Sequence, residues 1–297
     1  MPQHSRGLLK IKLFALLFFT IAPAFLQANK VFKNIFINRG IFTTVKNTTF
    51  PYFAFNSTTT FTSLNTVITV LKNDTLIINV TNNDTIKHGF KIKNYAGPSY
   101  TINPAANITT TIITTQRSIF IYYDHLNYPR NEYMGLAGII SVKDKASDKV
   151  YFWNLKDHLT SYSQQLAITG STVNWLNYYP DYFTINGKSF PDLQADPTAK
   201  ILNQKNDTIY IYIANTGQSM HSLHFHGFHL KSVYVDCKKL QQNWIKDTWG
   251  LFSMDATVLR MIPDKTGKYS VHDHNLVAVS GGNTHPNGMF TIMQINP

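Results

Sequence analysis

Cysteine is almost missing from this 297-residue chain: Cys237 is the only one. A lone cysteine closes no internal disulfide, and a metal site built from several thiolates is excluded. Apolar cores must therefore hold the fold, and 43% apolar residues are enough to build them. Long apolar runs are scarce as well. The one run, residues 13–21, follows Arg6, Lys10 and Lys12 and precedes Ala22, Ala24 and Ala28. That is the pattern of a secretory leader over residues 1–28, with cleavage expected near Ala28. The run is short for a bilayer span and no other segment approaches one, so the chain is expected to be secreted or periplasmic, without an integral membrane anchor. Clustered arginines are missing too. The formal net charge of +11, three units of which belong to the leader, is spread over scattered lysines, so nucleic acid is not an expected partner. Helical periodicity is weak and confined to the stretch from Asp157 to Leu166.

Histidine is what the chain does have. Seven of its eleven histidines fall between His221 and His285, in His221-Ser-Leu-His224-Phe-His226-Gly-Phe-His229, in His272-Asp-His274 and at His285. In a strand, alternate side chains share a face, so His224 and His226 point the same way, as do His272 and His274. Two such pairs on neighbouring strands bring four neutral nitrogen ligands to one small volume. That set suits copper or zinc and does not suit calcium or magnesium.

The chain also repeats itself. Asn73-Asp-Thr-Leu-Ile-Ile-Asn-Val-Thr-Asn leads to Lys87-His88-Gly89-Phe90, and Asn206-Asp-Thr-Ile-Tyr-Ile-Tyr-Ile-Ala-Asn leads to Phe225-His226-Gly227-Phe228. Both units close alike, on Tyr122-Tyr-Asp124-His125 and Val271-His-Asp273-His274. Short β-branched and aromatic runs broken by Asn, Gly and Pro predict an all-β chain of two homologous Greek-key sandwiches. The expected division is a first domain over 29–145, a connection over 146–180 and a second domain over 181–297 carrying the main histidine cluster. Seven Asn-x-Ser/Thr sequons are present, and a general bias towards Asn and Thr accounts for them as easily as glycosylation does.

These residues resemble the multicopper oxidases and their copper nitrite reductase relatives, built from cupredoxin domains. The resemblance spans residues 45–296 and is carried by Phe183-Thr-Ile-Asn-Gly-Lys-Ser-Phe, by His221-Ser-Leu-His-Phe-His-Gly, and by His272-Asp-His with Gly288-Met289. It implies a copper cofactor and an oxidoreductase acting on oxygen, nitrite or a small electron donor. The alternatives are a non-catalytic copper protein for storage, delivery or tolerance, and an interaction module whose metal site is degenerate.

The chain departs from the family pattern in both halves. The full oxidases carry His-Cys-His in the last domain, where this chain has Asp273, so an ordinary blue copper centre is not expected. His221, His285 and Met289 stand where its remaining ligands belong, and Asp273 is left as an imidazole-orienting carboxylate, a hard ligand or a proton shuttle. In the first domain the family has two His-x-His pairs, of which the resemblance leaves His88 and His125. With His224, His226, His272 and His274 they make six of eight cluster ligands. In two-domain relatives that cluster forms between neighbouring chains, which implies a homotrimer.

Overall fold

The computed structural model describes Met1 and residues 28–297, apart from Thr169, Asp236, Cys237 and residues 241–243. Residues 2–27 of the expected leader, and Cys237, therefore lie outside the described residues. The early strands are β1 (Lys30–Thr43), β2 (Thr49–Asn56), β3 (Ile68–Leu71), β4 (Thr75–Asn82), β5 (His88–Ile92), β6 (Tyr100–Ile102), β7 (Asn107–Ile113), β8 (Ser118–Tyr123) and β9 (Ala137–Lys143). They are followed by β10 (Lys149–His158), β11 (Tyr182–Ile185), β12 (Leu202–Gln204), β13 (Ile209–Asn215), β14 (His221–Phe225), β15 (Leu230–Val235) and β16 (Lys238–Lys239). The last are β17 (Ile245–Lys246), β18 (Thr248–Leu251), β19 (Ala256–Met261), β20 (Gly267–Asp273) and β21 (Phe290–Asn296). Among the described residues the only α-helices are α1 (Arg130–Tyr133) and α2 (Thr160–Leu166).

The strands form two sandwiches of the same design. The first packs β2-β1-β4-β7 on β3-β9-β8-β5-β6, and the second packs β11-β10-β13-β19-β15-β16 on β12-β21-β20-β14-β18. In each, one sheet begins with a parallel pair (β1 with β4, β10 with β13) and the other is entered through a second parallel pair (β3 with β9, β12 with β21). Alternating burial drives the strands together. In β4 the side chains of Leu76, Ile78 and Val80 point inward, and in β21 those of Met293 and Ile295 do so. The repeated Asn-Asp-Thr turns are built alike. Asn73 and Asn206 take φ of 74° and 67°, a conformation asparagine tolerates, while the next aspartate accepts the N–H of Leu71 or Gln204.

The stretch expected to be a connection is more structured than the sequence suggested. Its residues 149–158 form β10, a strand of the second sandwich paired with both β11 and β13. The following excursion, which includes α2, crosses to the first sandwich, where Leu166, Tyr162, Trp175 and Tyr178 join the core and Trp175 and Tyr178 pack edge-on against Tyr133.

The sandwiches meet face to face. Ile119, Ile121, Ala137 and Ile139 on β8 and β9 pack on Tyr212, Ala214, Ala256 and Val258 on β13 and β19. Polar groups are also buried at this seam. Glu132, the chain's one glutamate, takes Lys156 Nζ at 3.3 Å and Gln218 Nε2 at 2.6 Å. Its burial raises the carboxyl pKa to about 7 even though Lys156 opposes the shift. Asp157 accepts the N–H groups of Gln218 and Ser219, which fixes the loop that leads directly into β14.

Candidate metal centre

The four histidines of the two His-x-His pairs come together on one open sheet face. His224 lies directly opposite His272 across β14 and β20. The ladder continues past both strand ends, with His226 N–H on Ser270 O and His274 N–H on Ser222 O. Ring centroids are 4.5 Å apart for His224 and His226, 5.1 Å for His226 and His272, 5.7 Å for His224 and His272, and 5.8 Å for His224 and His274. The Nε2 atoms of His226 and His272 are 3.0 Å apart.

Neighbouring groups orient these rings. Thr248 Oγ1 stands 2.9 Å from His224 Nδ1, with the Asp247 carboxylate behind it at 4.0 Å, and the Asp273 carbonyl stands 2.8 Å from His272 Nδ1. With Nδ1 engaged in this way, Nε2 is left for a metal. Partial burial, then the proximity of His224 and His272, lowers the His226 pKa, which favours the neutral, ligating imidazole. Two imidazole nitrogens bound to one metal at about 2.0–2.1 Å and a tetrahedral angle stand roughly 3.3 Å apart. The His226–His272 spacing is close to that. No three His, Cys, Asp or Glu side chains among the described residues already form a finished metal cage. A metal held by His226 and His272 therefore needs His224 or His274 to swing inward. The donor set, four imidazoles without thiolate or carboxylate, fits copper.

Of the three roles expected for Asp273, its contacts match that of a carboxylate orienting an imidazole. It is fully buried, its Oδ2 accepts from His221 Nδ1 at 2.6 Å, and its Oδ1 accepts from the N–H groups of Ser222 and Asn275. Buried and engaged through both oxygens, it orients the His221 ring. It is a clamp that fixes β20 on β14 and so positions the histidines on either side of it. His221 has its Nδ1 taken by Asp273 and its Nε2 enclosed without a partner. His285 is exposed on the loop before β21, and Met289 lies in the apolar core. Of the three residues that the resemblance assigns to a blue centre, His221 is bonded to Asp273, Met289 stands opposite Asp273 with its carbonyl accepting the Asp273 N–H, and His285 faces solvent.

The first sandwich contains the same clamp. His88 Nδ1 meets Asp124 Oδ2 at 2.7 Å, and Asp124 Oδ1 accepts from the N–H groups of Gly89 and Leu126. His88 therefore corresponds to His221, and the sequence pairing of His88 with His226 was out of step. Strand pairing agrees: Lys91 opposes Tyr123 as His224 opposes His272. In the first sandwich, the positions of His224, His226, His272 and His274 hold Lys91, Lys93, Tyr123 and His125. The spacing His88-x-x-Lys91-x-Lys93, set against His221-x-x-His224-x-His226, is the sequence signal that could have found them.

His88 is not available to a metal. Its second nitrogen meets Asp84 Oδ2 at 2.8 Å, so carboxylates occupy both sides of a fully buried ring. Burial by itself would lower its pKa, but the hydrogen bonds and charges of Asp124 and Asp84 outweigh that and raise it. His125 is half-buried, with Nδ1 enclosed and unpartnered. Burial lowers its pKa, as does the Lys91 charge, against the opposing Asp124. A side chain at position 89 would strike this ring, since a Cβ there falls 2.7 Å from His125 Nδ1, and glycine avoids the clash.

Residues 148–286, which cover most of the second sandwich, match the multicopper oxidase family model. No curated protein matches the chain in sequence. Among solved structures, a blue copper oxidase from Nitrosomonas europaea shares 22% identity over 90% of this chain and 86% of its own, with a TM-score of 0.72. The multicopper oxidase mgLAC shares 20% over 90% and 86%, with a TM-score of 0.74. The copper nitrite reductase from Nitrosomonas europaea shares 17% over 90% and 94%, with a TM-score of 0.68. The chain thus has the two-sandwich cupredoxin fold of the multicopper oxidases and copper nitrite reductases, and its second sandwich carries the multicopper oxidase sequence pattern.

Proposed function

We propose that the protein binds copper on the open face of the second sandwich through His224, His226, His272 and His274, and that it is an exported copper-dependent oxidoreductase. The observation that carries this reading is the convergence of two His-x-His pairs in cross-strand register, with the His226 and His272 nitrogens 3.0 Å apart. Bound copper supplies one-electron chemistry towards oxygen, nitrite or a small donor. The chain's own part is positional. Thr248 and the Asp273 carbonyl turn two imidazoles to present Nε2, and the Asp273 carboxylate holds the two ligand strands in register. Anaerobic titration with Cu(II), followed by spin resonance, tests the site. The expected result is a tetragonal signal with nitrogen couplings, and its loss in the His224→Ala, His226→Ala double variant. Full copper content in that variant overturns the ligand assignment.

A second reading, non-catalytic copper storage, delivery or tolerance with the same ligands, is favoured by one observation. Asp273 pairs with His221 where the family's thiolate electron entry would stand. Consumption of oxygen or nitrite by the copper-loaded protein with a reductant decides between the two.

A homotrimer belongs to the first reading. The histidine face is open, and next to His274 the side chains of Leu276 and Val277 are 69% and 59% exposed. Another copy of the chain would cover this apolar rim. Sedimentation of the copper-loaded protein tests it, and a monomer with copper still bound shows that the second sandwich suffices.

A further inference from the structure

We infer that the ligand face of the first sandwich has been converted from a cation site into the seam that seats the second sandwich, so that each chain carries copper on one sandwich only. The comparison with a ligand face rests on the copper reading above, while the seam itself does not. The matching clamps, His88 with Asp124 and His221 with Asp273, fix the correspondence between the sandwiches, and the pairings Lys91–Tyr123 and His224–His272 confirm it one strand position at a time. Continuing along β8 and β20, which pair with β9 and β21 in matching registers, Ile119 and Ile121 fall where the second sandwich has Lys268 and Ser270. Ile119 and Ile121 are buried in the seam, whereas Lys268 is exposed.

The four key positions follow the same division. Three of the four imidazoles of the second sandwich are replaced, two by ammonium groups that have no lone pair to offer and one by a phenol. Lys93, in the place of His226, donates its Nζ to the Met254 carbonyl and lies 4.0 Å from the Asp255 carboxylate, both in the second sandwich. Tyr123, in the place of His272, packs at the edge of the same apolar seam. His125 remains as a single imidazole with one nitrogen enclosed. One imidazole beside two ammonium groups does not hold copper, and the charge of Lys91 works against any approaching cation.

Copper content and seam strength test the inference separately. In the full chain, His125→Ala should leave the Cu(II) stoichiometry and the nitrogen couplings unchanged, and a loss of copper in this variant overturns the inference. Lys91→His combined with Tyr123→His places three imidazoles on the first face together with His125 and leaves the Lys93 contact in place. That variant should gain one copper equivalent over the wild type, with a second spin-resonance signal. A folded variant whose copper content does not rise overturns the correspondence. The gain is read relative to the wild type, so a wild type that binds no copper would refute the proposed function and still leave this comparison valid. Lys93→Met should raise the rate of proteolysis between the sandwiches several-fold without lowering copper content. A loss of copper on that change would place Lys93 in the metal site and overturn the seam assignment.

Discussion

The two sandwiches carry one clamp in two states. His221 is held by a single carboxylate and its outer nitrogen has no partner, whereas His88 is gripped from both sides, by Asp124 and by Asp84, with Arg39 on Asp84 at 2.9 Å and Asn131 on Asp124. The lone clamp borders the open histidine face, and the doubled one borders the closed seam. What differs is the loop before the strand, where Asp84 stands in the first sandwich and Gly217 at the equivalent position in the second. A histidine–aspartate clamp is thus common to both halves, and a second carboxylate is added to the one beside the closed seam.

The strongest test of this comparison removes each carboxylate in turn. Asp124→Ala breaks four hydrogen bonds around a buried charged ring and should cost about 3–5 kcal/mol, the range for a broken buried ion pair. Asp273→Ala breaks three and should cost about 2–4 kcal/mol, and it should also weaken copper binding by letting the ligand strands slip. Urea unfolding of the metal-free protein measures both, and equal costs would erase the distinction between the clamps.

The pH dependence separates them next. His88 has a raised pKa, so its contribution is complete below the unfolded value of about 6.5 and fades as pH rises through the higher folded value. For Asp84, burial acts upward but the hydrogen bonds from His88 and Arg39 prevail and bring it to about 2. Its contribution is present above an unfolded value of about 3.9 and is lost as pH falls through about 2. His88→Gln should abolish the alkaline fade in urea midpoints, and an unchanged pH profile would remove the imidazolium from the account.

Colour gives a yes-or-no result. Asp273→Cys supplies a thiolate beside His221 and Met289, but His285 faces solvent and leaves the ligand set one imidazole short, so no intense thiolate-to-copper band should appear on adding Cu(II). A blue variant would mean that the loop before Met289 folds back onto His221.

The smallest effect is expected at His158. Its ring is buried among Phe42, Phe50 and Tyr52, with neither nitrogen bonded, and burial holds its pKa well below the usual value, with Lys156 adding to the shift. His158→Phe should change stability at neutral pH by less than about 1 kcal/mol and leave copper binding untouched. It should also remove a loss of stability that sets in as pH drops below about 6.5, where the unfolded chain takes up the proton that the folded one refuses.

Much of this was legible in the sequence, for a physical reason. Strand alternation is a rigid rule, so the sequence alone assigns His224 and His226 to one face of their strand and His272 and His274 to one face of theirs. The same rule failed at His88 because the match was made on the dipeptide His-Gly, whereas the clamp depends on a cross-strand carboxylate 36 residues away. The charged stretch Lys143-Asp-Lys-Ala-Ser-Asp-Lys149 reads as the start of a connection, and β10 begins at its last residue. Yet Tyr151, Trp153 and Leu155 alternate inward, and Lys156 and Asp157 find buried partners that no local pattern announces. For Asp273 the sequence leaves three roles open, because a buried carboxylate is defined by the N–H groups aimed at it, here those of the His221 ring and of the Ser222 and Asn275 backbone.

The excursion that follows β10 has a consequence for how the protein is made. The first sandwich has all its strands once residue 143 has left the ribosome, but its core stays open until α2, Trp175 and Tyr178 arrive. Those residues come only after β10, a strand whose partners belong to the second sandwich and have not yet been synthesised. The nascent chain must therefore carry an unfinished half for some 35 residues, with Tyr133 incompletely covered, and this interval is where a chaperone would find its substrate.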